Sequence, residues 1–307
     1  MLCCPKKTAS LTYSISPHQR LSVKIETAVL EQISQWAQSV DNVRTVILTS
    51  SRADPLGRPD SLSDYDVQVF VLDLEPITQN DQWIEAFGPI MVRWPIHPQH
   101  EFSSDWLTQL ILFENGIRID FQFTSSKFPH LDENDNHYIV LVDKDHLSKS
   151  WPTYIIKSPQ TIPPSNEAFI ERVNAFWWDI IYVAKGLWRG ELNYARYMLD
   201  GTIRFDKLLP VFKWYIGVQQ GWNISVGIYG RFLHQHLEKG IWADYLQTFV
   251  GSSPEDNWSA LMTTICLFRR LAIVIAEKLG FEYPAQTDRK VSAFIETIKT
   301  LPQKTEM

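Results

Sequence analysis

Ser51-Arg52-Ala53-Asp54, followed ten residues on by Asp64-Tyr65-Asp66-Val67-Gln68-Val69-Phe70-Val71-Leu72, is the stretch around which the rest of the chain can be ordered. Val67, Val69 and Val71 alternate with Gln68 and Phe70, the period of two that a half-buried strand requires, so residues 64–72 are expected to be a β-strand. Side chains at i and i+2 of a strand leave the same face, which sets the carboxylates of Asp64 and Asp66 side by side. Two acids held together there are costly without a cation, and their oxygens suit a hard ion such as magnesium. The pairing fits a metal-held nucleoside triphosphate, and hence nucleotidyl transfer.

Working outward, residues 43–49 read as a β-branched strand and 50–63, with Pro55, Gly57 and Pro59, as the loop between the two strands. Upstream, Ile25, Val29, Ile33 and Trp36 recur at helical spacing, which predicts a helix over 23–39 preceded by a polar extension, 1–22. Downstream, 83–87 reads as a short helix and 89–94 as a strand. Asn115-Gly116 joins two apolar runs, 106–114 and 117–123, and predicts a hairpin with a type I′ turn. That hairpin sets Asp120 on a strand able to lie beside the one carrying Asp64 and Asp66. Residues 138–142 complete the strands.

Three carboxylates of this kind meet the needs of a two-metal phosphoryl-transfer site. Asp64 and Asp66 would hold the metal carrying the triphosphate; Asp120 would bridge or orient a second metal, or accept the hydroxyl proton as general base. The loop Ser50-Ser51-Arg52 supplies the other half. Hydroxyl and backbone N–H groups there would cradle phosphate, with Arg52 adding a charge-assisted contact or packing the loop. The competing reading, acids on a solvated turn, is weakened by the third Asp on a separate strand.

Beyond a Pro-bearing linker, Ile162-Pro163-Pro164-Ser165, the pattern turns helical, with expected helices over 167–187, 192–199, 205–218, 229–238, 242–249 and 258–279. The fold class is therefore α+β. A mixed sheet with flanking helices spans 23–160, an all-helical domain spans 166–300, and a cleft is expected between them. The 307 residues suffice for two cores, and 45% hydrophobic with 21% charged residues is the balance of a globular chain. A net charge of −6 argues against general nucleic-acid binding and makes a cationic small molecule the natural acceptor. Cys3, Cys4 and Cys266 give neither a disulfide framework nor a spaced metal quartet, which suggests a reducing, cytoplasmic setting. No signal peptide is read at the N-terminus, and the apolar run 271–276 is too short to span a bilayer.

The chain resembles the aminoglycoside 6-adenylyltransferases, the streptomycin-adenylylating branch of the nucleotidyltransferases built like DNA polymerase beta. The resemblance runs through Val43-Arg44-Thr45-Val46, Ser51-Arg52-Ala53-Asp54-Pro55, Asp64-Tyr65-Asp66, Phe87-Gly88-Pro89-Ile90-Met91, Gly116-Ile117-Arg118-Ile119-Asp120 and Val142-Asp143-Lys144-Asp145. It continues in the helical half with Phe176-Trp177-Trp178 and Tyr182-Val183-Ala184-Lys185-Gly186-Leu187-Trp188-Arg189, and less closely with Trp214-Tyr215-Ile216-Gly217 and Ser225-Val226-Gly227. It implies magnesium-dependent transfer of AMP from ATP to a hydroxyl of an aminoglycoside such as streptomycin, with Asp64, Asp66 and Asp120 as the metal-binding and catalytic carboxylates. Two departures stand out: Ser50 replaces the Gly that opens the family's loop, and Ile228 replaces a Lys that usually follows Gly227.

Tyr182, Lys185 and Arg189 fall at i, i+3 and i+7 of one expected helix. Lys185 or Arg189 would reach the triphosphate and Tyr182 would stack on base or sugar; a solvated basic helix end is the alternative. Of Phe176, Trp177 and Trp178, at least one must pack inward. Glu101, Asp105, Asp179 and Glu191 are acids that could meet a polycation, whereas His97, His100, His234 and His236 lack a metal-ligand pattern. Two other functions remain open at this stage: AMP transfer to a different acceptor, and nucleotide binding without turnover.

Overall fold

Strand alternation organises the first half. The computed structural model describes residues 17–55, 59–100, 106–127, 131, 137–151 and 161–302, with the backbone alone for 17–25 and 97–100. Glu101, Asp105 and the first 16 residues lie outside that set, as do the side chains of His97 and His100. The chain divides into two compact units, Met1–Lys157 and Ser158–Met307.

In the first unit, α1 (Pro17–Ser39) leads into β1 (Val43–Leu48), α2 (Ser50–Ala53), β2 (Tyr65–Val71), α3 (Glu75–Gln79), a 3₁₀ turn at Gln82–Phe87, β3 (Ile90–His100), β4 (Trp106–Phe113), β5 (Arg118–Ser125) and β6 (Ile139–Asp143). The six strands form one sheet in the order β3-β4-β5-β2-β1-β6. β2 and β5 run parallel; the other neighbours are antiparallel.

Tyr65, Val67, Val69 and Val71 of β2 and Ile119, Phe121 and Phe123 of β5 share one buried face with Val29, Ile33 and Trp36 of α1. The Trp36 ring meets Trp83, Phe87 and Phe121 with centroids 5.8, 5.3 and 6.0 Å apart, geometry that aromatic edges and faces favour. Because the pleat has a period of two, burying that face turns Asp64, Asp66 and Gln68 of the β2 segment, and Arg118, Asp120 and Gln122 of β5, to the opposite side.

The helix begins at Pro17, within the stretch expected to be an unpatterned extension. The hairpin forms as expected, but not on a type I′ turn. Gly116 has φ +81 while Asn115 is not left-handed, Gly116 N–H donates to the Phe113 carbonyl at 2.9 Å, and Phe113 N–H donates to that of Ile117 at 2.9 Å. This three-residue loop ends in a left-handed glycine, with Asn115 Oδ1 accepting the Ile117 N–H at 3.0 Å.

The second unit contains α4 (Asn166–Trp188), α5 (Leu192–Arg196), a π-helical stretch Tyr197–Leu208, α6 (Leu209–Gln220), α7 (Leu233–His236), α8 (Lys239–Leu246), α9 (Pro254–Leu279) and α10 (Ala285–Thr300). Ser165 and Ser253 cap α4 and α9 by accepting from Ala168 and Asp256 N–H at 3.1 and 3.0 Å. Phe176 of α4 stacks flat on Phe268 of α9, centroids 3.6 Å apart, and Trp177 is fully buried beside them.

α9 as a whole is longer than its apolar run suggests: over 18 residues its mean hydropathy is 1.7, enough for a membrane span by length and composition. Yet 56% of that window is buried in protein, where Leu261, Ile265, Leu271 and Ile275 form the core of the bundle, so it serves as a core helix. The helix expected over 229–238 is broken: a 3₁₀ turn, Ile228–Gly230, precedes α7, and Gly227, Tyr229 and Gly230 all have positive φ. Conversely, the gap expected at 200–204 is bridged by π-helix, and α10 is an element that the periodicity left unread.

Candidate active site

Parallel pairing of β2 with β5 sets Asp66 directly opposite Asp120. Neighbouring strands lie about 4.8 Å apart, so these two acids are side by side across the sheet. Asp64 precedes β2 by one residue and shares their face. Arg118, two residues before Asp120, has the same orientation and closes on the acids: its Nε and Nη2 donate to Asp120 Oδ1 and Oδ2 at 2.8 and 2.7 Å, and its Nη1 lies 3.3 Å from Asp64 Oδ2. One guanidinium thus holds two carboxylates, bidentately at Asp120.

The electrostatics follow from that contact. Arg118 is raised above its ordinary value, chiefly by the hydrogen bond to Asp120 and further by the charges of Asp120, Asp64 and Asp66. Burial lifts the Asp64 carboxyl above the usual range, with Arg118 pulling it down and Asp120 pushing it up. The site therefore carries an excess of negative charge that already recruits a cation.

Hard carboxylate oxygens on a shared face fit a divalent ion chemically. Among the described residues, however, no three His, Cys, Asp or Glu side chains are gathered around one point. Asp64, Asp66 and Asp120 lie on one face, and Arg118 bridges Asp64 and Asp120 rather than the three acids closing around one ion.

Thr49 N–H donates to the Asp66 carbonyl at 2.9 Å, which starts the Ser50–Ala53 turn beside the acids. Ser51 is exposed there. Arg52 is otherwise engaged: its guanidinium donates to the carbonyls of Asp64, Ser63 and Asp60 at 3.0, 2.7 and 3.2 Å, pairs with Glu26 at 3.1 Å, and lies 3.9 Å over the Tyr65 ring. It packs the loop, the second of the two roles open to it. A hollow of about 210 Å³ opens alongside, lined by Arg52, Ser63, Asp64, Tyr65, Ile117 and Arg118.

In the second unit, Tyr182 and Lys185 share a face of α4, with the ammonium 5.7 Å from the ring centroid. Arg189 stands at the C-cap one helical turn after Lys185, its N–H donating to the Lys185 carbonyl at 3.1 Å, and its guanidinium pairs with Glu191 at 3.8 Å. Trp178 is 68% exposed, the outward member of its aromatic trio. Of the acids considered for a polycation, Asp179 is paired with Lys207 at 3.1 Å.

The sequence profile of the streptomycin adenylyltransferase family matches residues 23–298. The chain belongs to this family. It is accordingly an adenylyltransferase, a nucleotidyltransferase enzyme. Similar proteins include aminoglycoside 6-adenylyltransferases of Bacillus subtilis (strain 168), 29% identical over 283 residues, covering 90% of this chain and 98% of the relative. One from Campylobacter jejuni is 27% identical over 280 residues, covering 89% and 95%. The crystal structure of an aminoglycoside 6-adenyltransferase from Bacillus subtilis is similar over 89% of this chain and 97% of its own, at 23% identity and a TM-score of 0.44.

Two observations bear on this member of the streptomycin adenylyltransferase family. Ser50, where the family's Gly is expected, has φ +56, a left-handed conformation that costs an L-residue about 1 kcal/mol. The backbone thus keeps the glycine shape without glycine. Ile228 is 65% exposed, and Arg231 follows it one 3₁₀ turn later, its N–H donating to the Ile228 carbonyl at 3.2 Å. Arg118, which carries no role in the sequence reading, is the residue that reasoning missed; its i, i+2 spacing from Asp120 on an expected strand was the available signal.

Proposed function

We propose that this enzyme transfers AMP from ATP to a hydroxyl of a cationic aminoglycoside such as streptomycin. The observation that carries the reading is the pairing of Asp66 with Asp120 across β2 and β5, with Asp64 on the same face. Magnesium held by Asp64, Asp66 and Asp120 would supply charge neutralisation at the triphosphate. Asp120 takes the proton of the attacking hydroxyl, whose oxygen bonds to the α-phosphorus as pyrophosphate leaves with the electrons of the broken P–O bond. The turn at Ser50 and Ser51 offers hydroxyl and backbone N–H donors to phosphate; Lys185, Tyr182 and Arg189 are proposed to serve the nucleotide from the helical unit. A cytoplasmic setting belongs to the same reading, since Cys266 is a free, exposed thiol.

Pyrophosphate release from ATP and magnesium should depend on streptomycin, and a panel of aminoglycosides should show the accepted ones gaining the mass of one AMP. Release indifferent to every aminoglycoside would overturn the reading in favour of another acceptor, the alternative to which Ser50 and Ile228 lend themselves.

Arg118 acts as a resident counter-ion. Replacing it with methionine leaves Asp64 and Asp120 unneutralised, so the nucleotide-free protein should bind Mn²⁺ about tenfold more tightly by electron paramagnetic resonance, the scale expected for one charge near a protein surface. An unchanged affinity would show that the guanidinium does not compete there.

Ser50→Gly should remove the left-handed penalty at the cost of greater chain entropy, changing stability by no more than about 1 kcal/mol. Without a Cβ the loop can approach phosphate more closely, so KM for ATP should fall severalfold at constant kcat. A KM that rises would show that the Ser50 hydroxyl itself holds the nucleotide.

A further inference from the structure

The π-helical stretch Tyr197–Leu208 joins α5 to α6 and is 12 residues long, in a class of helix that mostly occurs as single-turn bulges and frequently at functional sites. It presents two large aromatics outward, Tyr197 at 69% and Phe205 at 40% exposure. Facing them is Tyr229, 77% exposed, its ring edge-on to Phe205 with centroids 5.9 Å apart. Tyr229 has φ +51, a conformation that costs a bulky side chain about 1–2 kcal/mol, in a turn where Gly227 and Gly230 also have positive φ. Between these rings lies a hollow of about 440 Å³, lined also by Gly201, Thr202 and Asp206.

Charge selects the occupant. The Asp206 carboxylate has no hydrogen bond or ion pair among the described residues, and the nearby cations are committed elsewhere. Arg172 donates to the backbone carbonyl of Asp206, and Lys207 pairs with Asp179 at 3.1 Å. A free carboxylate repels phosphate, so the rings do not suit a nucleotide. Aromatic faces attract organic cations, and a planar guanidinium stacks on them particularly well.

We propose that Tyr197, Phe205, Tyr229 and Asp206 form an aromatic cage that binds a guanidinium- or ammonium-bearing ring of the acceptor. This rests on the aminoglycoside reading and assigns that substrate a specificity site in the helical unit.

The test is calorimetric titration of the full-length protein with streptomycin, without nucleotide, comparing wild type with Tyr229→Leu, Phe205→Leu and Asp206→Asn. Leucine keeps apolar bulk but removes the π face. Each variant is expected to raise the streptomycin Kd about tenfold, the scale of a partly desolvated cation–π contact or ion pair, while binding of a non-hydrolysable ATP analogue stays unchanged. Thermal melts identify any variant that fails to fold, and the surface isostere Asp206→Asn remains informative if a leucine variant does. Unchanged Kd in the folded variants, with wild type still adenylylating streptomycin, overturns the cage and leaves the activity standing. Tighter binding by the leucine variants overturns it too, pointing to a merely apolar contact. Failure of wild type to bind or modify any aminoglycoside removes both readings.

Discussion

Replacing Asp120 by asparagine is expected to slow AMP transfer by about a thousandfold or more, the combined scale of losing a general base and an electrostatic anchor, while leaving the protein folded. The side chain keeps its shape and loses its charge. An amide cannot accept the hydroxyl proton, and it can turn an N–H toward Arg118, which needs two acceptors at 2.8 and 2.7 Å. The β5 backbone, paired with β2 and β4 on either side, does not depend on that carboxylate. Circular dichroism and the melting temperature should therefore stay near wild type while kcat collapses. Transfer within tenfold of wild type would remove Asp120 from the chemistry and leave it as a partner for Arg118. Asp66→Asn, on the paired strand, should be similarly severe; Arg52→Lys should instead lower stability, because Arg52 ties the loop carbonyls together.

What the sequence discloses follows from where one local rule dominates. β2 is legible because Val67, Val69 and Val71 must alternate to cover α1, and the same alternation assigns Asp64 and Asp66 to the other face. The hairpin is legible but its turn is not: only Gly116 needs positive φ, and Asn115 serves instead as a side-chain acceptor. Residues 229–238 carry helical spacing, yet the left-handed positions at Gly227, Tyr229 and Gly230 interrupt it, and such backbone preference is invisible to hydrophobic periodicity. At 200–204 the opposite happens. Residues 200–204 fall between two expected helices, but the buried Arg204 ties Asp200 to Thr248, donating to Asp200 Oδ1 at 2.9 Å and to the Thr248 carbonyl at 3.0 Å, and tertiary bonding carries the helix through. α10 escapes notice because few of its residues, Ile295 and Ile298 among them, face the core.

The segments that carry the family resemblance are not all chemical. Arg44 donates to Asp145 through Nε at 2.7 Å, and Lys144 Nζ donates to the Val40 carbonyl at 2.8 Å, so the matching stretches at 43–46 and 142–145 clasp β1 to β6. Asp143 is held below the usual carboxylate range: burial would raise it, but the hydroxyl and N–H of Ser148, the Leu147 N–H and the Thr45 hydroxyl all donate to it. These residues secure the edge of the sheet whose centre presents the acids.

The helical unit has a comparable fastening in Asp288, whose removal should cost it most. This carboxylate, in the first turn of α10, is 5% exposed and accepts from Arg269 Nε and Nη2 at 2.6 Å each, Tyr283 Oη at 2.8 Å and Ser292 Oγ at 3.0 Å. Burial pushes its pKa up, but the donors from Arg269, Tyr283 and Ser292 outweigh it and hold it below the ordinary value. Deleting one partner of such a pair strands the other, so Asp288→Ala should destabilise the unit by about 3 kcal/mol, towards the lower end for buried pairs because Arg269 retains some water. For a unit of this size the melting temperature should fall by roughly 8 °C. The sign with pH is fixed by the depressed folded pKa: the contribution is fully present above the unfolded carboxylate value of about 3.9 and is lost as pH falls through the lower folded value. Wild type and Asp288→Asn should therefore differ by a constant amount in urea unfolding between about pH 5 and pH 8, and converge as the pH drops below about 4. A gap that persists in acid would mean that Asp288 holds α10 by shape and hydrogen bonding rather than by its charge.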